Sequence, residues 1–181
     1  MFPEQMQAFQ GAEHQPFTWH AGRNAALLVH GFPGTPAELL PTAEVFHAAG
    51  WTVRGMLLPG FGPDVETLSE RTQSEWVTAV QRELKAIQRE YDTVLLCGHS
   101  LGAALSMQVT ANISHTPDGL ILFAPFWKVD HYVWTTMPVL KHLFPNPRIF
   151  KWLKLDFEKP DVRDGIHNFL PDADLDDPET R

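Results

Sequence analysis

The sequence predicts an α/β protein: a doubly wound, mainly parallel sheet with a helical cap. Three observations carry this expectation. Apolar runs at Ala25–His30, Trp51–Leu58, Val94–Cys97 and Asp118–Ala124 alternate with stretches patterned as helices. Short continuous apolar runs suit strands buried on both faces of a parallel sheet, and their alternation with helices implies parallel crossovers. The second observation is Thr93–Gly102, T-V-L-L-C-G-H-S-L-G, where such a run ends abruptly in a serine flanked by glycines. The third is a change of character after Pro125. Aromatic residues crowd the segment from Phe126 onward, Pro138, Pro145, Pro147, Pro160 and Pro171 cut it into short pieces, and no further buried strand follows. The expected division is therefore a sheet core over residues 1–125 and a helical cap over 126–181.

Taken in order, Phe17–His20 reads as a short strand and Ala21–Asn24 as a turn. The strand Ala25–His30 runs into Gly31-Phe32-Pro33-Gly34-Thr35-Pro36, whose glycines and prolines stop any regular element and make a shaped loop. A helix should follow, with Thr35 as N-cap, Pro36 in its first turn and Glu38 completing a capping box. Leu39, Leu40, Val45 and Phe46 supply its apolar face, and Gly50 ends it. The strand Trp51–Leu58 closes at Pro59-Gly60-Phe61-Gly62, and residues 63–71 read as a polar loop. Thr72 and Glu75 form a second capping box, and Trp76, Val80, Leu84 and Ile87 recur at helical spacing as one core-facing stripe. The serine-bearing strand comes next, then a small-residue helix to about Ala111, then the strand Asp118–Ala124. Short helices are expected around Met137–Phe144 and Arg148–Leu155. In such sheets ligands bind beyond the carboxyl ends of the strands, so the loops after His30, Leu58, Cys97 and Ala124 should share one face.

Composition narrows the function. The chain has 181 residues, 44% hydrophobic and 20% charged, enough for a core of ordinary size. A formal net charge of -8 argues against a nucleic-acid partner. The single cysteine, Cys97, lies in the central apolar run and reads as a small buried hydrophobe. No apolar stretch approaches the length of a membrane span, and the first residues lack the basic and apolar regions of a signal peptide. A cytoplasmic protein is the expectation, and nothing calls for a metal or cofactor.

The chemistry centres on Ser100. A sharp strand-to-helix turn would hold its hydroxyl clear of its neighbours, and the crowding of that turn requires almost no side chain at Gly98 and Gly102. The pattern Gly98-His99-Ser100-Leu101-Gly102, taken with His30-Gly31-Phe32-Pro33-Gly34, Pro59-Gly60-Phe61-Gly62 and Phe123-Ala124-Pro125, resembles the α/β-hydrolase superfamily. It looks most like the small carboxylesterases and monoacylglycerol lipases with a short helical cap. The resemblance covers residues 17–135 and weakens through the cap, and Phe61 stands where relatives often have His.

The resemblance implies a serine hydrolase acting on short- or medium-chain carboxylic esters or monoacylglycerols. Ser100 would be the nucleophile, and the backbone N–H groups of Phe32 and Leu101 the oxyanion hole. His30 and His99 would serve structure by hydrogen-bonding loop backbone. The family order is serine, then acid, then histidine, the last two after later strands. Downstream of Ser100 the chain offers His115, His131, His142 and His167, with Asp130, Asp161 and Asp164, none in a strand-end context. A C-terminal segment carrying the acid and histidine is thus expected beyond Arg181. The alternative is a catalytically silent module that binds an apolar ligand or a partner.

Overall fold

The computed structural model describes residues 9–125, together with Lys159, Pro160, Arg163 and Asp176. The chain divides into two compact units, Met1–Phe126 and Trp127–Arg181. In the second, Arg163 pairs with Asp176 at 3.0 Å. The expected cap helices at Met137–Phe144 and Arg148–Leu155 lie outside the described residues.

The first unit is a five-stranded sheet in the order β1-β3-β2-β4-β5. The strands are β1 Phe17–Trp19, β2 Asn24–Val29, β3 Thr52–Met56, β4 Thr93–His99 and β5 Gly119–Phe123. β2 through β5 run parallel, and only β1 is antiparallel, against β3. Helix α1 spans Leu40–Ala48, α2 Gln73–Glu90 and α3 Leu101–Ala111. This is the doubly wound, mainly parallel arrangement that the alternation of runs predicts.

Side-chain alternation along β2 builds both halves of the core. Ala25, Leu27 and Val29 point to one face, where Val80, Leu84 and Ile87 of α2 and Leu105 and Val109 of α3 cover them. Ala26 and Leu28 point to the other, with Val53, Cys97, Leu39 and Ala43. A period of two with apolar residues on both sides is what a central strand requires. Each fully buried Leu or Ile contributes about 1.5–3 kcal/mol. Burial also pushes the Cys97 thiol up to about 12, so the cysteine is the inert core residue its position suggests.

The helices depart from expectation in places. Pro36–Leu39 is a short 3-10 turn, and α1 begins only at Leu40, with Pro41 in its first turn where a missing N–H costs nothing. Thr35 caps the 3-10 turn by accepting from the Ala37 N–H, but Glu38 does not return the bond. Val45 is 71% exposed, so the core face is made instead by Leu39 of the 3-10 turn with Ala43 and Phe46 of α1. Residues 62–70 are 3-10 turns broken at Asp64 rather than a loop.

The second capping box is complete. Thr72 accepts from the Glu75 N–H, and the Glu75 carboxylate accepts from the Thr72 N–H at 2.7 Å. The Thr72 hydroxyl, which donates to the same carboxylate at 2.8 Å, and the Thr72 N–H hold the Glu75 carboxyl below its usual range. Thr72→Ala should lower the unfolding free energy by about 1 kcal/mol, read as a shift in urea midpoint with an unchanged denaturant slope.

β5 pairs with β4 alone among the described residues. Leu120 is 36% and Phe123 39% exposed, on an apolar strand whose other edge has no strand partner among the described residues.

Candidate active site

β2 and β4 are neighbours in the sheet, with Val29 opposite Gly98. The loop after β2 and the turn after β4 therefore leave the same sheet edge side by side. Ser100 occupies that turn with φ +49 and ψ -110, a region that L-residues rarely adopt. It is half-buried, and its N–H donates to the Phe123 carbonyl at 2.9 Å. The turn is as crowded as expected. A Cβ on Gly98 would overlap the Gly102 backbone, and one on Gly102 would overlap the Val29 and His30 carbonyls.

Leu101 is the first residue of α3, so its N–H belongs to the donors a helix leaves without an internal acceptor. Its side chain packs against the larger core cluster. Phe32 lies on the facing loop, 59% exposed, with its ring edge-on to the buried Phe61 at 6.0 Å. Phe61 also meets His30 and Trp76, whose indole N–H donates to the Pro59 carbonyl.

His30 is fully buried and joins two loops. The Leu58 N–H donates to its Nε2 at 3.0 Å, which leaves Nδ1 to carry the proton and donate to the Gly31 carbonyl at 2.9 Å. Burial pushes the imidazole below its ordinary value and outweighs the opposing pull of the Gly31 carbonyl and Glu38. The unfolded chain takes up the proton first, so acidification below about pH 6.5 should erode stability. The imidazole NMR titration checks this: the His30 ring should remain neutral below the ordinary histidine value of about 6.5.

His99 differs from expectation. Its Nδ1 bonds not to loop backbone but to the Glu38 carboxylate, at 3.0 Å. The same carboxylate oxygen accepts the Gly31 N–H. Sequence reasoning assigned Glu38 to a capping box and so missed this link across the site. At the loop's far end, His14 Nδ1 and Thr35 Oγ1 share a hydrogen bond of 2.8 Å.

The triad substitutes fare differently. His115 is exposed and precedes β5, at the sheet edge opposite Ser100. His131, His142, His167, Asp130, Asp161 and Asp164 lie outside the described residues. Among the described residues, no imidazole or carboxylate bonds to the Ser100 hydroxyl.

Residues 21–172 match the serine aminopeptidase family S33. The chain belongs to that family. It is 30% identical over 176 residues to a thermostable monoacylglycerol lipase of Bacillus sp. strain H-257, covering 95% of this chain and 66% of that protein. It is 29% identical over 96 residues to a carboxylesterase of Bacillus subtilis strain 168, covering 52% of this chain and 39% of that one. This S33-family chain thus spans less than two thirds of each relative. Among solved structures it resembles a metagenome-derived lipolytic enzyme (TM-score 0.63, 24% identity, 76% of this chain and 54% of that one). It also resembles a thermostable carboxyl esterase from Bacillus coagulans (TM-score 0.57, 20% identity, 71% and 45%). The fold is the α/β-hydrolase fold. No helix among the described residues is long and apolar enough to cross a membrane.

Proposed function

We propose that this chain is the nucleophile-bearing part of a carboxylic ester hydrolase working through an acyl-enzyme on Ser100. One observation carries the reading: Ser100 sits at positive φ on the β4–α3 turn, beside a free helix N-terminus and across from the Phe32 loop. The Ser100 hydroxyl attacks the ester carbonyl, and the negative charge that forms on oxygen is held by the N–H groups of Leu101 and Phe32. The alcohol leaves, the acyl group stays on Ser100, and water releases it. A general base, and the carboxylate that orients it, come from outside residues 9–125. The exposed Phe32 ring offers an apolar surface for a short or medium acyl chain, or for the acyl part of a monoacylglycerol. Lipase and esterase relatives support an ester over a peptide substrate.

Fluorophosphonate labelling of the purified protein, with intact mass read in the same run, tests this. A single adduct on Ser100 is the expected result. Complete resistance would replace this reading with that of a hydrolase-like binding module, whose ligand affinity should survive Ser100→Ala.

A further inference from the structure

We propose that Glu38 is a positioning residue that ties the Phe32 loop to the serine turn and so sets the distance from the Phe32 N–H to the reacting oxygen; this rests on the ester-hydrolase reading of Ser100. Gly31 is pressed against the serine turn, where a Cβ would stand 3.0 Å from Ser100 Cβ and 3.1 Å from His99 Nδ1. A side chain here would press on the serine turn, and glycine leaves the two peptide planes on either side of it free to swivel. Each plane has one anchor. The plane before Gly31 is held through its N–H, which the Glu38 carboxylate accepts. The plane after it is held through its carbonyl, which accepts from His30 Nδ1 at 2.9 Å. In a trans peptide the N–H points opposite to the carbonyl, so fixing the Gly31 carbonyl fixes the direction of the Phe32 N–H.

Glu38 does more than hold one plane. Its Oε1 also bonds His99 Nδ1 at 3.0 Å, so one carboxylate joins the loop that carries one donor to the residue preceding Ser100. The partners lie seven and sixty-one positions away in sequence, and neither bond belongs to the 3-10 turn that contains Glu38. A group serving only that turn would face the Thr35 N–H; Glu38 turns back to the loop instead. Removing it frees the peptide plane before Gly31 and unties the loop from His99, which loosens the distance between the donor and the nucleophile.

The test compares the wild-type protein with E38A and E38Q, using p-nitrophenyl butyrate hydrolysis, the rate of fluorophosphonate inactivation and thermal unfolding. E38A should lower kcat about 10- to 100-fold, since a misplacement of about 1 Å can cost 10²-fold. KM should stay within about threefold, because the affected contact is made chiefly in the transition state. Inactivation should slow in parallel while the unfolding midpoint stays in place. The amide oxygen of E38Q still accepts both hydrogen bonds, so this variant should recover most of the lost kcat. Wild-type kcat in E38A, a change in KM alone, or equal loss in E38A and E38Q would each overturn the positioning role and leave the ester-hydrolase reading intact. A wild-type protein that neither turns over nor labels would instead overturn that reading, and this inference with it.

Discussion

Ser100→Ala is expected to reduce kcat for p-nitrophenyl butyrate by about 10⁵-fold or more, the scale seen when an activated serine nucleophile is removed. Turnover comparable to wild type would place the chemistry elsewhere. Stability should move differently. At φ +49 and ψ -110 any residue with a Cβ is disfavoured by about 1–3 kcal/mol, and alanine meets the same penalty as serine. Ser100→Ala should therefore unfold at nearly the wild-type urea concentration. Ser100→Gly should be equally inactive yet more stable by about 1 kcal/mol, because glycine occupies that region without a steric penalty. The pair of variants separates the two consequences of the turn: the conformation that exposes the hydroxyl is also one that the folded core has to hold in place.

The second large effect is expected at Gly102. A side chain there would enter the space of the Val29 and His30 carbonyl oxygens, main-chain atoms of the central strand and the residue after it. Neither can retreat without breaking the ladder between β2 and its neighbours. Gly102→Val should cost on the order of 4 kcal/mol, at or beyond the upper range for overpacking because the obstacle is backbone. Against a typical domain stability of about 5–15 kcal/mol, that loss removes a large share of the margin and should lower the soluble yield. Circular dichroism and urea titration of what remains provide the measurement. A folded Gly102→Val protein with an unchanged midpoint would mean that α3 is not seated against β2.

Most of the core was legible because its signals are local. Continuous apolar runs mark β2 and β4, and the stripe Val80, Leu84, Ile87 marks the buried face of α2. The Thr72–Glu75 box names the first turn of α2 within four residues of sequence. The same local rule misled at Thr35–Glu38. The spacing is identical, but the Gly31 N–H and His99 compete for the Glu38 carboxylate and win. His99 reaches it only once β2 and β4 are paired, and no window of sequence contains that fact. Val45 was misplaced for a related reason: the 3-10 turn shifts the start of α1, which rotates its face relative to a helix begun at Thr35. The serine turn was readable because its steric requirement is written in Gly98 and Gly102. The base and acid were not, since no strand end among the described residues offers either beside Ser100.

The pairing of Val29 with Gly98 has a consequence for how variants of this protein should be sorted. The two proposed oxyanion donors sit on different loops, yet the loops are spaced by a hydrogen-bonded ladder rather than by side chains. A slip of one residue between β2 and β4 would displace one loop by about 3.3 Å along the strand and turn every apolar side chain of β2 to the opposite face. Misregistered molecules would thus lose their packing and their donor geometry together. Substitutions of the exposed Phe32 side chain leave that ruler untouched. They should change which esters are accepted without changing the fraction of molecules able to react, so active-site titration and substrate profiling ought to vary independently across a mutant library.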